Sequence, residues 1–140
     1  MQSLESRYLR FELAGQDWAV DIAQVLEIVP PLPVTPVPRS GEIVVGAFNL
    51  RGRVLPLLDP RRALGLEAGD PQDGVFVVLT REGSTYAVLV DCVHDVVCLP
   101  EESLSPPPDL PGGAPEVLDK VGRDEERLLF IVDLGRLLAA

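Results

Sequence analysis

The sequence predicts a mostly β fold made of many short strands closed into barrels. Three observations carry that prediction. Apolar and polar residues alternate with a period of two over several short segments. Turn-forming residues separate those segments at close intervals. Two proline-rich stretches fall between them, where the N–H that proline lacks is not needed for a ladder. Strands this numerous and this short favour closed barrels over an open sheet.

Taken in chain order, "YLRFEL" places Leu9, Phe11 and Leu13 on one face and Tyr8, Arg10 and Glu12 on the other. "WAVDI" repeats the alternation with Trp18, Val20 and Ile22, and the intervening "AGQD" is turn chemistry. Residues 7–22 therefore read as a hairpin. A short helix is expected over Ala23–Leu26. "PPLPVTPVP" follows, with five prolines in nine residues. The stretch "VVGAFNLRGRVLPLLDPRRALGL", Val44–Leu66, reads as two strands buried on both faces and joined by a tight turn at Arg51-Gly52. Gly52 suits that turn because its φ can be positive. A second short helix is expected over Arg61–Leu64. "GVFVVLT" and "TYAVLVD" form another hairpin about "REGS". "VVCL" and "RLLFIVD" add strands, separated by "SPPPDLPGGAP", and a last short helix is expected over Leu134–Leu138. Both proline-rich stretches match P-x-x-P, the pattern of polyproline ligands. Rigid crossovers between strands are the simpler reading. No internal repeat is strong enough to use.

The 140 residues fit one domain, 1–140, with 46% hydrophobic residues marking it as globular. Twenty-two acidic residues against twelve basic give a net charge of −10. That charge repels phosphate backbones and anionic lipid, so neither nucleic acid nor direct membrane insertion is expected. The one dense basic group is Arg51, Arg53, Arg61 and Arg62. No apolar stretch is long enough to span a bilayer, and the N-terminus lacks the order of a secretory signal. The expected location is cytoplasmic.

A search for chemistry finds no enzyme signature. His94 is the only histidine, and it stands between strand residues in "DCVHDVV", where a structural role is expected. Cys92 and Cys98 on one strand are roughly 20 Å apart, too far for a disulfide. They are expected to be reduced core thiols, and their spacing fits no zinc pattern. Catalytic residues, metal and cofactor are all expected to be absent, and Cys92, Cys98 and His94 to be dispensable for function. Asp21, Asp59, Asp91 and Asp133 lie at strand ends without a spacing that selects any pair, which leaves a small β-barrel hydrolase as the alternative from another class. A binding module is the better reading. In it, Arg51 is either a solvated turn tip or a guanidinium anchored by a carboxylate beside an apolar surface.

"VDIAQVLEIV", followed at a distance by "VVGAFNLRGRVLPLLDPRRALGL", then "VFVVLTREGSTYAVLVDCVHDVVCLPEESLSPPP" and "RLLFIVDLGRLL", resembles the CheW-like domain of bacterial chemosensory systems. The likeness covers about residues 7–138. With no kinase or receiver module following, it is to the free-standing adaptor and not to the matching regulatory domain of the kinase CheA. The resemblance implies two small, intertwined five-stranded β-barrels with a groove between them, and no catalysis. It implies an adaptor recruited to chemoreceptor clusters, bridging the cytoplasmic hairpin of a methyl-accepting chemoreceptor to a CheA-type histidine kinase. By the same resemblance, Glu27 and Arg51 are a salt-bridged pair at the receptor groove, Val25 and Gly46 lie on groove positions, and Leu50 packs beneath. Two departures bear on the kinase contact, whose residues stay unassigned. The segment after Glu27 is rich in proline, and the small-residue region before the last strand is "VLDKVGRDEE", keeping only Gly122. An accessory that binds receptors without the kinase is the alternative within the family.

Overall fold

Two-residue turns set the hairpins from which both sheets are built. The computed structural model describes residues 5–38, 43–113 and 117–133. Strands β1 (Glu5–Leu13) and β2 (Gln16–Asp21) are joined through Ala14-Gly15, with φ of 52° and 79°. β5 (Val44–Leu50) and β6 (Arg53–Leu58) meet through Arg51-Gly52, at 49° and 89°. β7 (Val75–Arg81) and β8 (Ser84–Val90) meet through Glu82-Gly83, at 51° and 84°. Two successive positive φ values give the turn whose twist matches that of paired strands. Gln16, Asp17, Arg81 and Ser84, expected in turns, are therefore already strand residues.

The remaining strands are β3 (Val25–Val29), β4 (Val34–Thr35), β9 (Cys92–Pro100), β10 (Leu104–Ser105), β11 (Leu118–Asp124) and β12 (Arg127–Val132). They form two six-stranded sheets, ordered β10-β11-β12-β2-β1-β9 and β3-β7-β8-β6-β5-β4. Each sheet holds five longer strands and one strand of two residues. The chain starts in the first sheet, builds the whole second sheet from β3 to β8, and returns to finish the first. That path intertwines the two halves. Each proline-rich stretch is a crossover carrying a short edge strand, β4 or leading away from β10, where proline costs no interior hydrogen bond.

Three apolar clusters follow from the alternation. Tyr8, Ala19, Val97, Leu99, Leu129 and Ile131 fill the first barrel. Phe48, Leu55, Leu57, Phe76, Val78 and Leu89 are among those filling the second, with Phe48 and Phe76 edge-on at 5.1 Å between ring centres. The opposite faces of the same strands meet between the barrels: Leu9, Phe11 and Leu13 of β1, Trp18 and Val20 of β2, Val77 and Leu79 of β7, and Tyr86, Val88 and Val90 of β8. The hairpin buried on both faces along most of its length is therefore β7–β8, with β1 and β2 buried on both faces over part of theirs. The β5–β6 hairpin was the expected pair, but its outer face is open: Pro56 is exposed, and Val54 is 74% exposed.

Other expectations are corrected as well. The helix expected over Ala23–Leu26 is a single 3-10 turn at Ile22–Gln24, capped by Asp21, and Leu26 is already in β3. The second helix is the one-turn α1 (Pro60–Ala63). The expected helix Leu134–Leu138 lies outside the described residues. Cys92 is half-buried and Cys98 exposed, so neither is a core thiol; alternation turns Val97 and Leu99 inward and Cys98 out.

An internal repeat is present after all. Read from its short strand, the second sheet runs β4-β5-β6-β8-β7-β3, the same plan as β10-β11-β12-β2-β1-β9, each with one parallel pair. "RVLPLLD" (Arg53–Asp59) and "RLLFIVD" (Arg127–Asp133) occupy matching strands. The Asp59 N–H donates to the Ile43 carbonyl at 2.9 Å, and the Asp133 N–H donates to the Val117 carbonyl at 2.7 Å.

Candidate functional site

The hairpin tip at Arg51 is held from three directions. The positive φ of both turn residues fixes a tight two-residue turn, and the Asn49 side chain accepts from the Gly52 N–H at 2.8 Å. Across the barrel, β3 brings Glu27 to the same tip. A bulge between Val25 and Glu27, at Leu26, sets where that carboxylate emerges. Arg51 Nη2 donates to Glu27 Oε1, so the ion pair ties the edge strand β3 to the β5–β6 turn.

Arg51 is 69% exposed and Glu27 32%, so the pair is wet and contributes little to stability. Its consequence is orientation. A guanidinium carries five donors in a fixed plane, and Glu27 holds that plane while leaving donors for another molecule. Leu26 and Ile28, either side of Glu27, are exposed, as is Val54 beside the turn. The result is a fixed cationic edge at an open hairpin tip, carried by two elements that also expose apolar side chains. The matching tip in the other barrel has Glu125, also at positive φ (57°). The turn itself therefore does not require arginine.

The other residues singled out in the sequence have different places. Val25 is half-buried against the inter-barrel core, and Leu50 is half-buried against the core of the second barrel. Gly46 is buried, and a Cβ there would lie 2.4 Å from the Thr35 carbonyl oxygen. It lets β4 close on β5 and offers no side chain to a groove. Gly122 has a similar duty in β11, where a Cβ would meet Leu99 at 2.6 Å.

The basic group of the sequence is not a patch. Arg61 is 9% exposed, donates to Asp91 and stands 3.7 Å from the fully buried Asp59. Asp59 also accepts from the Arg61 and Gly69 N–H groups, at 3.0 and 2.9 Å. Asp91 accepts from the Ala14 N–H of the β1–β2 turn at 2.9 Å. This network was missed in the sequence because Asp91 is remote from Arg61 along the chain. Only its local half, an Asp-Pro helix start, is legible. On the first barrel, Arg10 forks onto Asp95 at 2.8 and 3.2 Å, and that contact holds the Asp95 carboxyl below its usual range.

The description "CheW-like domain" matches residues 7–140. The chain is 31% identical over 136 residues to "Chemotaxis protein CheW" of Treponema pallidum, covering 93% of this chain and 80% of that protein. It is 34% identical over 103 residues to the protein of the same name in Rhizobium meliloti, covering 73% and 66%. The crystal structure of the scaffolding protein TtCheW from Thermoanaerobacter tengcongensis superposes with a TM-score of 0.87 at 25% identity, covering 98% of this chain and 94% of that one. On the fold, on the match from Arg7 to the last residue and on these relatives, the chain belongs to the CheW-like domain family.

Proposed function

We propose that this chain is a chemotaxis adaptor that couples the cytoplasmic hairpin of a chemoreceptor to a CheA-type histidine kinase. Family membership supports the scaffold role. One observation carries the receptor site: Glu27 fixes Arg51 at an exposed hairpin tip, and the two strands that meet there, β3 and β6, also expose Leu26, Ile28 and Val54. A receptor helix lays its apolar stripe over those side chains and places a carboxylate or a free helix-end carbonyl on Arg51. Val25 and Leu50 support the site from below, and Gly46 sets the β4–β5 packing behind it. The adaptor does no chemistry of its own and works in the cytoplasm at receptor clusters. Among the described residues no helix is long and apolar enough to cross a membrane. The receptor-only accessory is not favoured, because the family match continues through the altered Lys120–Glu126 region to residue 140.

Titration calorimetry with a receptor hairpin and, separately, with the kinase regulatory domain tests this reading. Arg51→Glu is expected to abolish receptor binding with the fold intact, because the reversed charge meets a desolvating helix unpaired. Receptor affinity unchanged by Arg51→Glu would return Arg51 to a solvated turn tip. Wild-type binding to the receptor alone would restore the accessory reading.

A further inference from the structure

On the first barrel, β9 carries a bulge that the adaptor role does not use. Arg10 pairs with Asp95 and Phe11 with Val93, which leaves His94 as the extra residue. A bulge re-aims the side chain it carries. Here the His94 ring turns back over the ladder toward Cys92 and Glu12, which are direct cross-strand partners. His94 Nε2 lies 3.8 Å from Cys92 Sγ and 3.6 Å from Glu12 Oε1, and the three donor atoms lie within 4.8 Å of one another.

We propose that Glu12, Cys92 and His94 bind a divalent transition ion of the zinc type. Thiolate, imidazole and carboxylate together form a borderline-soft set that suits zinc better than calcium or magnesium. Ordinary zinc bond lengths at a tetrahedral angle place sulfur and nitrogen about 3.6 Å apart and nitrogen and oxygen about 3.4 Å apart. These two separations are within a few tenths of an ångström of those edges, and the third, between the Cys92 sulfur and the Glu12 carboxylate, is within 4.8 Å, so side-chain rotation closes the set. Solvent-exposed His94 beside half-buried Glu12 and Cys92 gives the ion an entry path and leaves water in the fourth position. Asp17 and Asp91 lie within electrostatic reach of Cys92, while the neighbouring cation, Arg10, is already held by Asp17 and Asp95. The Cys-x-His spacing alone fits no zinc pattern, which is why the sequence predicts none; the third ligand arrives by strand pairing. The bound ion staples β9 to β1 where the bulge interrupts their ladder.

The test uses the full, reduced, chelator-stripped chain titrated with cobalt(II) and then zinc. One equivalent of cobalt is expected to give a thiolate-to-metal charge-transfer band and the d–d bands of a tetrahedral ion, both removed by zinc. Competition against a chromophoric chelator is expected to show zinc affinity falling at least about tenfold in Cys92→Ser and in His94→Gln, with Cys98→Ser unchanged. Zinc is also expected to raise the melting temperature of the wild type but not of the first two variants. Absence of the thiolate band in the wild type would overturn the proposal, as would equal zinc uptake by Cys92→Ser. The band is read on the unaltered protein, so a poorly folding variant does not obscure the answer.

Discussion

At the scale of single residues, the two barrels make opposite uses of a carboxylate beside a bulge. Asp95 takes a forked bond from Arg10 on the neighbouring strand, a contact within the ladder. Glu27 reaches instead to Arg51 at a hairpin tip, where the pair faces solvent. Alanine at either position is expected to cost less than about 1 kcal/mol of stability. In receptor affinity, a cycle of Glu27→Ala, Arg51→Ala and the double variant is expected to show coupling above about 0.5 kcal/mol; additive effects there would mean that Glu27 does not orient Arg51. Tyr86 makes a different case. Tyr86 is 1% exposed, its hydroxyl has no hydrogen-bond partner among the described residues, and burial pushes its pKa up to about 12. Removing that hydroxyl by Tyr86→Phe is expected to stabilise the protein by about 1 kcal/mol at neutral pH in urea unfolding. The raised pKa means that the unfolded chain gives up this proton first, above about pH 10. Stability is then lost as pH climbs from about 10 to 12, by at most about 1.4 kcal/mol per unit from this group, and Tyr86→Phe should flatten that decline. An unaltered alkaline slope in the variant would show that the hydroxyl is paired or wet.

At the scale of elements, the hairpins were legible because everything that defines them is local. Alternation names the strand, and a residue followed by glycine names the turn, as at Ala14-Gly15, Arg51-Gly52 and Glu82-Gly83. What periodicity does not carry is which face has a second sheet on it. β6 and β8 are both rich in Val and Leu, yet β8 runs between the barrels along its length while β6 reaches that layer only at Leu58, so Val54 is open while Tyr86 and Val88 are sealed. The pair of Glu27 with Arg51 was reached through family resemblance, since nothing in spacing alone brings β3 to the β5–β6 turn. Gly46 was also picked out that way, but its physical reason is contact. Gly46→Ala would drive a methyl against the Thr35 carbonyl, an obstacle of backbone that cannot rotate aside. A loss of about 2–3 kcal/mol is expected in denaturant unfolding, by overpacking. Tolerance of alanine there would show that β4 is free to lift from β5.

At the scale of the whole molecule, the second barrel is inserted in the sequence of the first, so β3 to β8 are contiguous while the first barrel is split between β1–β2 and β9–β12. The repeat hides for that reason: in the second barrel the strands run β3 to β8, and in the first the equivalent order begins at β9 and ends with β1 and β2. Only turns, core positions and the R-x-L-x-x-x-D of β6 and β12 survive the cyclic shift. Two features bind the halves into one unit. The first is the shared apolar layer of Leu9, Phe11, Trp18, Leu79 and Tyr86. The second is Arg61, which reaches from α1 beside the second barrel to Asp91, itself bonded to the β1–β2 turn of the first. Arg61→Ala strands the carboxylate of Asp59, which is fully buried, and leaves Asp91 with solvent in place of its partner. Asp59 keeps two backbone donors, which limits the expected loss to about 2–4 kcal/mol. Because the apolar layer is untouched, unfolding of the variant is expected to remain a single transition, coincident by circular dichroism and by the fluorescence of Trp18 in that layer. Two separated transitions in Arg61→Ala would mean that the ion network, and not the shared layer, makes the barrels one cooperative body.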